Sequence, residues 1–293
     1  DARTWSFSVS QSPYAASRAA QATAAYQWAE AITHYNTALI QPDLPPLMAY
    51  ALHSGRAWAY RYEGHFQAAL ADLDRMMHLA EVMGDRARQA EALTRQIEPL
   101  RIAGDLTRAQ ARAEAALQRA AGYPPLVAAA QYALSRVLEW QGEFAAAQLA
   151  VEQAQQLYVA LGDPQGEAYC LMQLAVLAGC QGAQTEALAA LANPLARFRQ
   201  LGDRWGEAMA LLFMGLSSPD AVQRRACHEQ SLQLFQAVGD RISATNQADN
   251  LAWVYWQSGL YSQAGVYADQ VLQNAHAMRS GWLTADGLCS MGT

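Results

Sequence analysis

The chain contains no lysine: all twenty of its basic side chains are arginine. A phosphate-cradling P-loop needs a lysine on the nucleotide, and pyridoxal or Schiff-base chemistry needs a lysine nitrogen. Those classes are excluded for this chain, and a GC-rich coding bias is the simplest account of the absence. Cysteine is also scarce. The four thiols, Cys170, Cys180, Cys227 and Cys289, show no C-x-x-C spacing. Cys170 and Cys180 fall on one predicted helix about 15 Å apart, too far to bridge. A reduced, cytoplasmic chain follows. No run approaches the ~18 apolar residues of a membrane span, and no basic segment precedes an apolar core at the start. A soluble chain with no export signal and no membrane partner is expected. The net charge of −6 and a pI near 5.5 draw it as a whole to neither nucleic acid nor anionic lipid.

Catalytic constellations are missing as well. His34, His53, His65, His78, His228 and His276 are scattered, with no H-E-x-x-H and no G-x-G-x-x-G. Cys227-His228-Glu229 is the densest set of potential ligands. Adjacent helix residues point about 100° apart, so the three cannot readily converge on one ion, and a solvated helix face is expected. Asp72 and Asp74 are separated in the same way and read as an ordinary exposed pair. No enzyme activity, metal or cofactor is expected.

What the chain does have is a ladder of helix breakers. Gly-Asp occurs at Gly84-Asp85, Gly162-Asp163, Gly202-Asp203 and Gly239-Asp240, with Gly122-Tyr123-Pro124 in the remaining slot. Successive rungs lie 37 to 40 residues apart. A second ladder runs between them at Gly64, Gly104, Gly142, Gly182 and Gly259. Two interleaved ladders of one period mean a repeating helix–turn–helix unit. From Pro125 to Asp163, Val127, Ala130, Tyr132, Ala133, Val137 and Leu138 recur at helical spacing up to Gly142. Phe144, Ala147, Leu149, Val151, Ala154 and Leu157 resume the pattern up to Gly162. A tight turn forces the two helices to pack antiparallel. Gly162 suits the left-handed residue that ends a helix, Asp163 the next cap, and Pro164 its first turn. No β-period segment stands out, so the fold class is all-α.

The inner turns carry a recognisable pattern. Gly64-His65-Phe66 runs to Ala69, Gly104-Asp105-Leu106 to Ala109, Gly142-Glu143-Phe144 to Ala147, and Gly259-Leu260-Tyr261 to Ala264. Gly182 to Ala187 keeps the glycine and alanine but has Gln184 between them. A small residue stands seven before the turn glycine at Ala57, Ser135, Ala175 and Ala252, whereas Ile97 departs from this. The chain after residue 13 resembles the tetratricopeptide repeat. The resemblance implies a right-handed α-solenoid of antiparallel helix pairs, with the alanine allowing close helix approach. The period exceeds the family's usual 34 residues, so each unit should carry about one extra helical turn.

Residues 1–13 read as an N-terminal extension and 14–293 as about seven repeats plus the start of an eighth. The first repeat runs from about Tyr14 to Asp43, with Trp28 and Ala31 in its turn. Later units start near Pro46, Arg86, Pro125, Pro164, Arg204 and Arg241. In the sixth, Leu216-Ser217-Ser218-Pro219 replaces the glycine turn. Pro99 and Pro194 fall inside predicted helices, as tolerated irregularities or functional kinks. Leu288 to Gly292 matches the first helix of another repeat, and no polar cap follows it. The chain is therefore expected to be a fragment of a longer protein.

In the tetratricopeptide pattern, groove positions lie 13, 10, 6, 3 and 2 residues before the turn glycine. The resemblance carries them onto Ser54, Trp58, Arg61 and Tyr62, then Glu91, Thr94, Glu98 and Arg101. It adds Tyr132, Arg136, Glu139 and Trp140, and Asn246, Asp249, Trp253 and Trp256. Trp58, Arg61, Tyr62, Tyr132, Arg136, Trp140, Asp249, Trp253 and Trp256 are the candidate binding residues. Tryptophan, tyrosine and arginine are the types enriched at binding hot spots, although each aromatic could equally pack between repeats. The lysine-based clamp for chaperone tails is absent. With five asparagines in the chain and only Asn246 at these positions, an extended peptide held by its main chain is disfavoured. A compact ligand, or a partner's apolar or helical surface, fits better.

Leu161-Gly162-Asp163-Pro164-Gln165-Gly166-Glu167-Ala168 and Leu201-Gly202-Asp203-Arg204-Trp205-Gly206-Glu207-Ala208 are near-copies, and Val238-Gly239-Asp240-Arg241 begins a third. With Glu229 to Leu232 and Asn250 to Ala252, these strings resemble the repeat regions of STAND-type signalling ATPases and maltose-activator-like transcription factors. The resemblance implies a non-enzymatic sensor and scaffold that binds a protein partner, other domains of its parent chain or a small inducer in its concave groove. A plain assembly adaptor with a fixed partner and no small ligand is the alternative.

Overall fold

The computed structural model describes residues 11–41 and 43–278. Most of the expected extension and the start of an eighth repeat lie outside the described residues. Fourteen helices, and no strand, occur among those described. Taken in order they are α1 (Gln11–Ala24), α2 (Trp28–Leu39), α3 (Pro46–Tyr62), α4 (Phe66–Val82), α5 (Arg86–Ile102), α6 (Leu106–Arg119) and α7 (Pro124–Trp140). Then follow α8 (Phe144–Leu161), α9 (Pro164–Cys180), α10 (Gln184–Leu201), α11 (Arg204–Ser217), α12 (Ala221–Ala237), α13 (Arg241–Gln257) and α14 (Tyr261–Met278). The chain divides into two compact units, residues 1–157 and 158–293. Each is a stack of helix hairpins of the tetratricopeptide type.

The boundary chemistry explains where the helices stop. Gly162 has φ of +65° with nothing within 4 Å of a notional Cβ, so backbone conformation rather than crowding calls for glycine. Asp163 then accepts the N–H groups of Gln165 at 3.1 Å and Gly166 at 2.9 Å, and Pro164 occupies the first turn. Two turns differ. Between α1 and α2 the left-handed residue is Tyr26, with φ of 58°. Between α11 and α12 there is no left-handed residue: Ser218 is extended, and Asp220 caps α12 through Val222 N–H at 3.0 Å.

In the first unit, Ala57, Ala69 and Ala109 are all buried, which lets paired helices approach closely. In the second unit one apolar cluster runs from Ala168 to Leu251 around the fully buried rings of Phe198 and Phe235. A Cβ on Gly206 would lie 2.4 Å from the Phe198 ring, so α11 needs glycine at the point where that ring crosses it. Cap aspartates also join one repeat to the next. Asp203 caps α11 through Gly206 N–H at 2.8 Å, and accepts the Tyr169 hydroxyl at 2.7 Å and the Gln165 amide at 2.8 Å. Asp240 caps α13 through Ser243 N–H at 3.0 Å and accepts the Trp205 indole at 2.8 Å.

Two sequence expectations are corrected. Asp72 is not part of an exposed pair: it is 3% exposed. It bonds His53 Nδ1 at 2.7 Å and accepts Arg56 Nε at 2.8 Å and Nη2 at 2.6 Å. Only Asp74 is exposed, and it accepts the Gln96 amide at 3.0 Å. Likewise Cys227 and His228 are buried rather than solvated, with His228 Nδ1 2.8 Å from Gln247 Oε1. Both corrections have one cause. Asp72 lies in the buried stripe Ala69, Leu73, Met76, Ala80 of α4, and its partners come from another helix.

Candidate functional site

A pocket of about 180 Å³ opens in the first unit between α3, α5 and α7, with Leu73 of α4 at its base. Its surface is mostly apolar, from Ala57, Trp58, Pro99, Tyr132 and Ala133. Arg61, Arg95, Glu98 and Arg136 bring charge to the same wall. The repeat places these groups: Trp58 and Arg61 stand one turn apart on α3, as Tyr132 and Arg136 do on α7. Pro99 sits in the last turn of α5, where it removes the helical donor to the Arg95 carbonyl and gives the pocket a rigid apolar face.

Trp58 is 43% exposed, an unusual position for a ring that size. Its edge meets the Tyr62 ring at 5.4 Å, and the Arg61 guanidinium lies over both rings, 5.2 Å from Trp58 and 4.9 Å from Tyr62. Tyr62 itself is buried and stacks on Trp28 of α2 at 4.3 Å. It therefore backs the pocket rather than lining it.

Glu98 organises the charges. Arg101 grips it with two bonds, Nε at 2.9 Å and Nη2 at 2.8 Å, and Arg136 Nη1 donates to the same carboxylate at 3.2 Å. Burial alone would raise the Glu98 pKa. The guanidiniums of Arg101, Arg136 and Arg61 outweigh it and hold the carboxyl well below the usual range. Burial likewise disfavours the Arg136 charge, and Glu98 more than compensates. Arg95 is engaged separately, by Glu91 at 2.9 Å and the Ser54 hydroxyl at 2.6 Å. The wall is fixed by ion pairs on the protein side and open on the other.

Four of the nine sequence-nominated residues, Trp58, Arg61, Tyr132 and Arg136, line this pocket. Trp140 lies apart from it, 54% exposed, with the Arg101 guanidinium over its ring at 4.4 Å. Asp249, Trp253 and Trp256 lie on α13 in the second unit. There Trp253, 47% exposed, stacks on Trp256 at 4.9 Å. Leu73, Arg95, Pro99 and Ala133 were not nominated. Pro99 was visible as a helix-interior proline; the others carry no distinguishing signal.

No protein-family model matches the chain, and no curated protein does. Solved structures do. A Rap protein complexed with competence and sporulation factor superposes with a TM-score of 0.74 at 15% identity, over 92% of this chain and 76% of that one. The Rap conjugation gene regulator of the plasmid pLS20, in complex with the Phr* peptide, gives 0.71 at 15% identity, over 89% and 74%. A STAND protein with a tetratricopeptide-repeat sensor, from Pyrococcus horikoshii, gives 0.60 at 15% identity, over 89% of this chain and 42% of its own. These likenesses establish the tetratricopeptide-type helical repeat fold.

Proposed function

We propose that this chain is a non-enzymatic sensor and scaffold module, and that it takes a side chain of a protein or peptide partner in the Trp58 pocket. The observation that carries this is the size and lining of that pocket. A dry cavity of ~150 Å³ holds one benzene ring, whereas sites for drug-sized ligands run to ~300–1,000 Å³. At about 180 Å³ the pocket suits one aromatic or branched side chain, with the rest of its carrier outside. A sugar-nucleotide or other large inducer fits it poorly. Trp58, Tyr132 and the flanking arginines are of the kinds that dominate binding hot spots.

The neighbours support a sensor over a fixed adaptor. Two of them are described as complexes, one with competence and sporulation factor and one with the Phr* peptide, and the third as carrying a tetratricopeptide repeat sensor. The chain lacks the asparagine ladder that holds an extended main chain, so recognition here rests on side chains. Partner binding would favour one arrangement of a larger regulator by its differential affinity for the two states. A thermal-shift screen of short peptides, sugars, nucleotides and amino acids tests the reading. A ligand at a hundred times its dissociation constant adds about 2.7 kcal/mol of stability. Peptides with an aromatic or branched side chain are expected to stabilise the protein, and sugars and nucleotides to have no effect. Stabilisation by nucleotides alone would contradict it.

A further inference from the structure

Independently of the Trp58 pocket, we propose that His228 and Gln247 form an acid-sensitive joint between the sixth and seventh repeats, closed while the imidazole is neutral and opened when it takes up a proton. Three core positions differ together there from their counterparts in other repeats. His228 stands seven residues before the buried ring of Phe235, as Leu191 stands before Phe198. Gln247 follows His228 by 19 residues, as Ala210 follows Leu191 and Ala92 follows Leu73, and each of those apolar pairs shares one core cluster. Gly215 stands nine residues after Gly206, as Ala175 stands after Gly166. A Cβ on Gly215 would lie 2.6 Å from His228 Cε1 and 2.8 Å from Nε2, so the glycine makes room for the ring. Both polar side chains are buried, and His228 Nδ1 lies 2.8 Å from Gln247 Oε1. An amide oxygen only accepts, so Nδ1 carries the ring's hydrogen and Nε2 the lone pair that a proton would take. The pair is half satisfied, since Gln247 Nε2 is buried with no hydrogen-bond partner.

The surroundings offer a His228 cation no counter-charge. The sixth-repeat helix α12 packs on α11 and α13. These bring Arg204 and Glu207 from α11, Arg224, Arg225 and Glu229 from α12, and Arg241 and Asp249 from α13. Glu207 pairs with Arg199 at 2.7 Å, and Glu229 accepts the Tyr255 hydroxyl at 2.7 Å. Asp220 and Asp240 accept backbone N–H groups as caps. Asp249 is two residues past Gln247, about 200° around α13. Cys227 and Tyr255 are both shifted upward and stay neutral. Arg224 is the charge that acts on the ring, and it has the same sign. Burial and Arg224 push the imidazole pKa down, and the Gln247 bond offsets only part of this. A folded pKa below the unfolded value of about 6.5 leaves the joint at full strength above that pH and weakens it progressively as pH falls below.

The test is amide hydrogen exchange of the full chain from about pH 7 to about pH 5, corrected for the intrinsic rate, with α4 and α5 as internal reference. Protection of α12 and α13 is expected to fall by up to about tenfold per pH unit below about pH 6.5, while that of α4 and α5 holds. His228→Leu combined with Gln247→Ala sets the Leu191 and Ala210 pairing in this place and should abolish the dependence. An equal loss of protection in the wild type and the double variant overturns the proposal, as does no loss in the wild type. The wild-type titration of the His228 ring by NMR stands even where the double variant fails to fold. A midpoint below about 6.5 is expected, and a midpoint at or above it overturns the joint.

Discussion

The two units use the same residue types to different ends. In the second, aromatic side chains spend their polar atoms on the fold. Tyr169 donates to Asp203, Trp205 to Asp240 and Tyr255 to Glu229 at 2.7 Å, while Tyr255 stacks on Tyr267 at 5.5 Å. Even its exposed Trp253 stacks on Trp256. In the first unit Trp58 and Tyr132 face a pocket, with Arg136 beside them held by Glu98 and Arg95 by Glu91 and Ser54. Aromatic content therefore does not locate a site in a repeat protein. An aromatic that stays half-exposed on the wall of a pocket, with its neighbours held in place, does.

The comparison is tested most severely at the buried ion pairs of the first unit. Asp72→Asn leaves the Arg56 guanidinium without its counter-charge and should cost about 3 kcal/mol, read from denaturant unfolding. The same group sets a pH dependence. Burial opposes the Asp72 charge, but bonds from Arg56 and His53 outweigh it, so its folded pKa lies below the ordinary carboxylate value. Glu98 is shifted the same way. As pH falls below about 4 the unfolded chain binds protons that the fold refuses, and stability declines through the folded pKa values. Wild-type protein should lose stability over that range, and Asp72→Asn should lose less. A parallel decline in both would count against the assignment.

Next in size is the second unit's packing. Gly206→Ala drives a methyl into the Phe198 ring and should cost about 1–3 kcal/mol, whereas an unchanged melting temperature would mean that the ring has room to move. Trp205→Phe keeps a ring but removes the indole bond to Asp240. It should cost about 1.5 kcal/mol with no effect on peptide binding, which separates it from any change at Trp58.

How much of this was legible in the sequence depends on whether a residue's role is local. Helix limits are local: a glycine with positive φ followed by a capping aspartate writes itself into Gly162-Asp163, and the boundary is where the pattern puts it. The first turn was harder, because Tyr26 takes the left-handed conformation without a glycine to announce it. Asp72 was misjudged from its spacing to Asp74. Its partners His53 and Arg56 stand 19 and 16 residues away, although its place in an apolar stripe was a clue. His228 carried the same clue, lying among Cys227, Ser231, Leu232 and Phe235. At the pocket, periodicity pointed to Trp58, Tyr132 and Arg136 as groove positions. It could not separate Tyr62, buried under the Trp28 ring, from Trp58, which stays half-exposed. That difference is made by a helix from another repeat.

The central claim is that the pocket-lining Trp58, and not the similarly exposed Trp253, receives a partner side chain. The most direct measurement is peptide-dependent thermal stabilisation of Trp58→Ala and Trp253→Ala proteins side by side, using a peptide that stabilises the wild type. The account predicts that stabilisation disappears in Trp58→Ala and persists in Trp253→Ala. Persistence in Trp58→Ala with loss in Trp253→Ala would contradict it and move the site to α13.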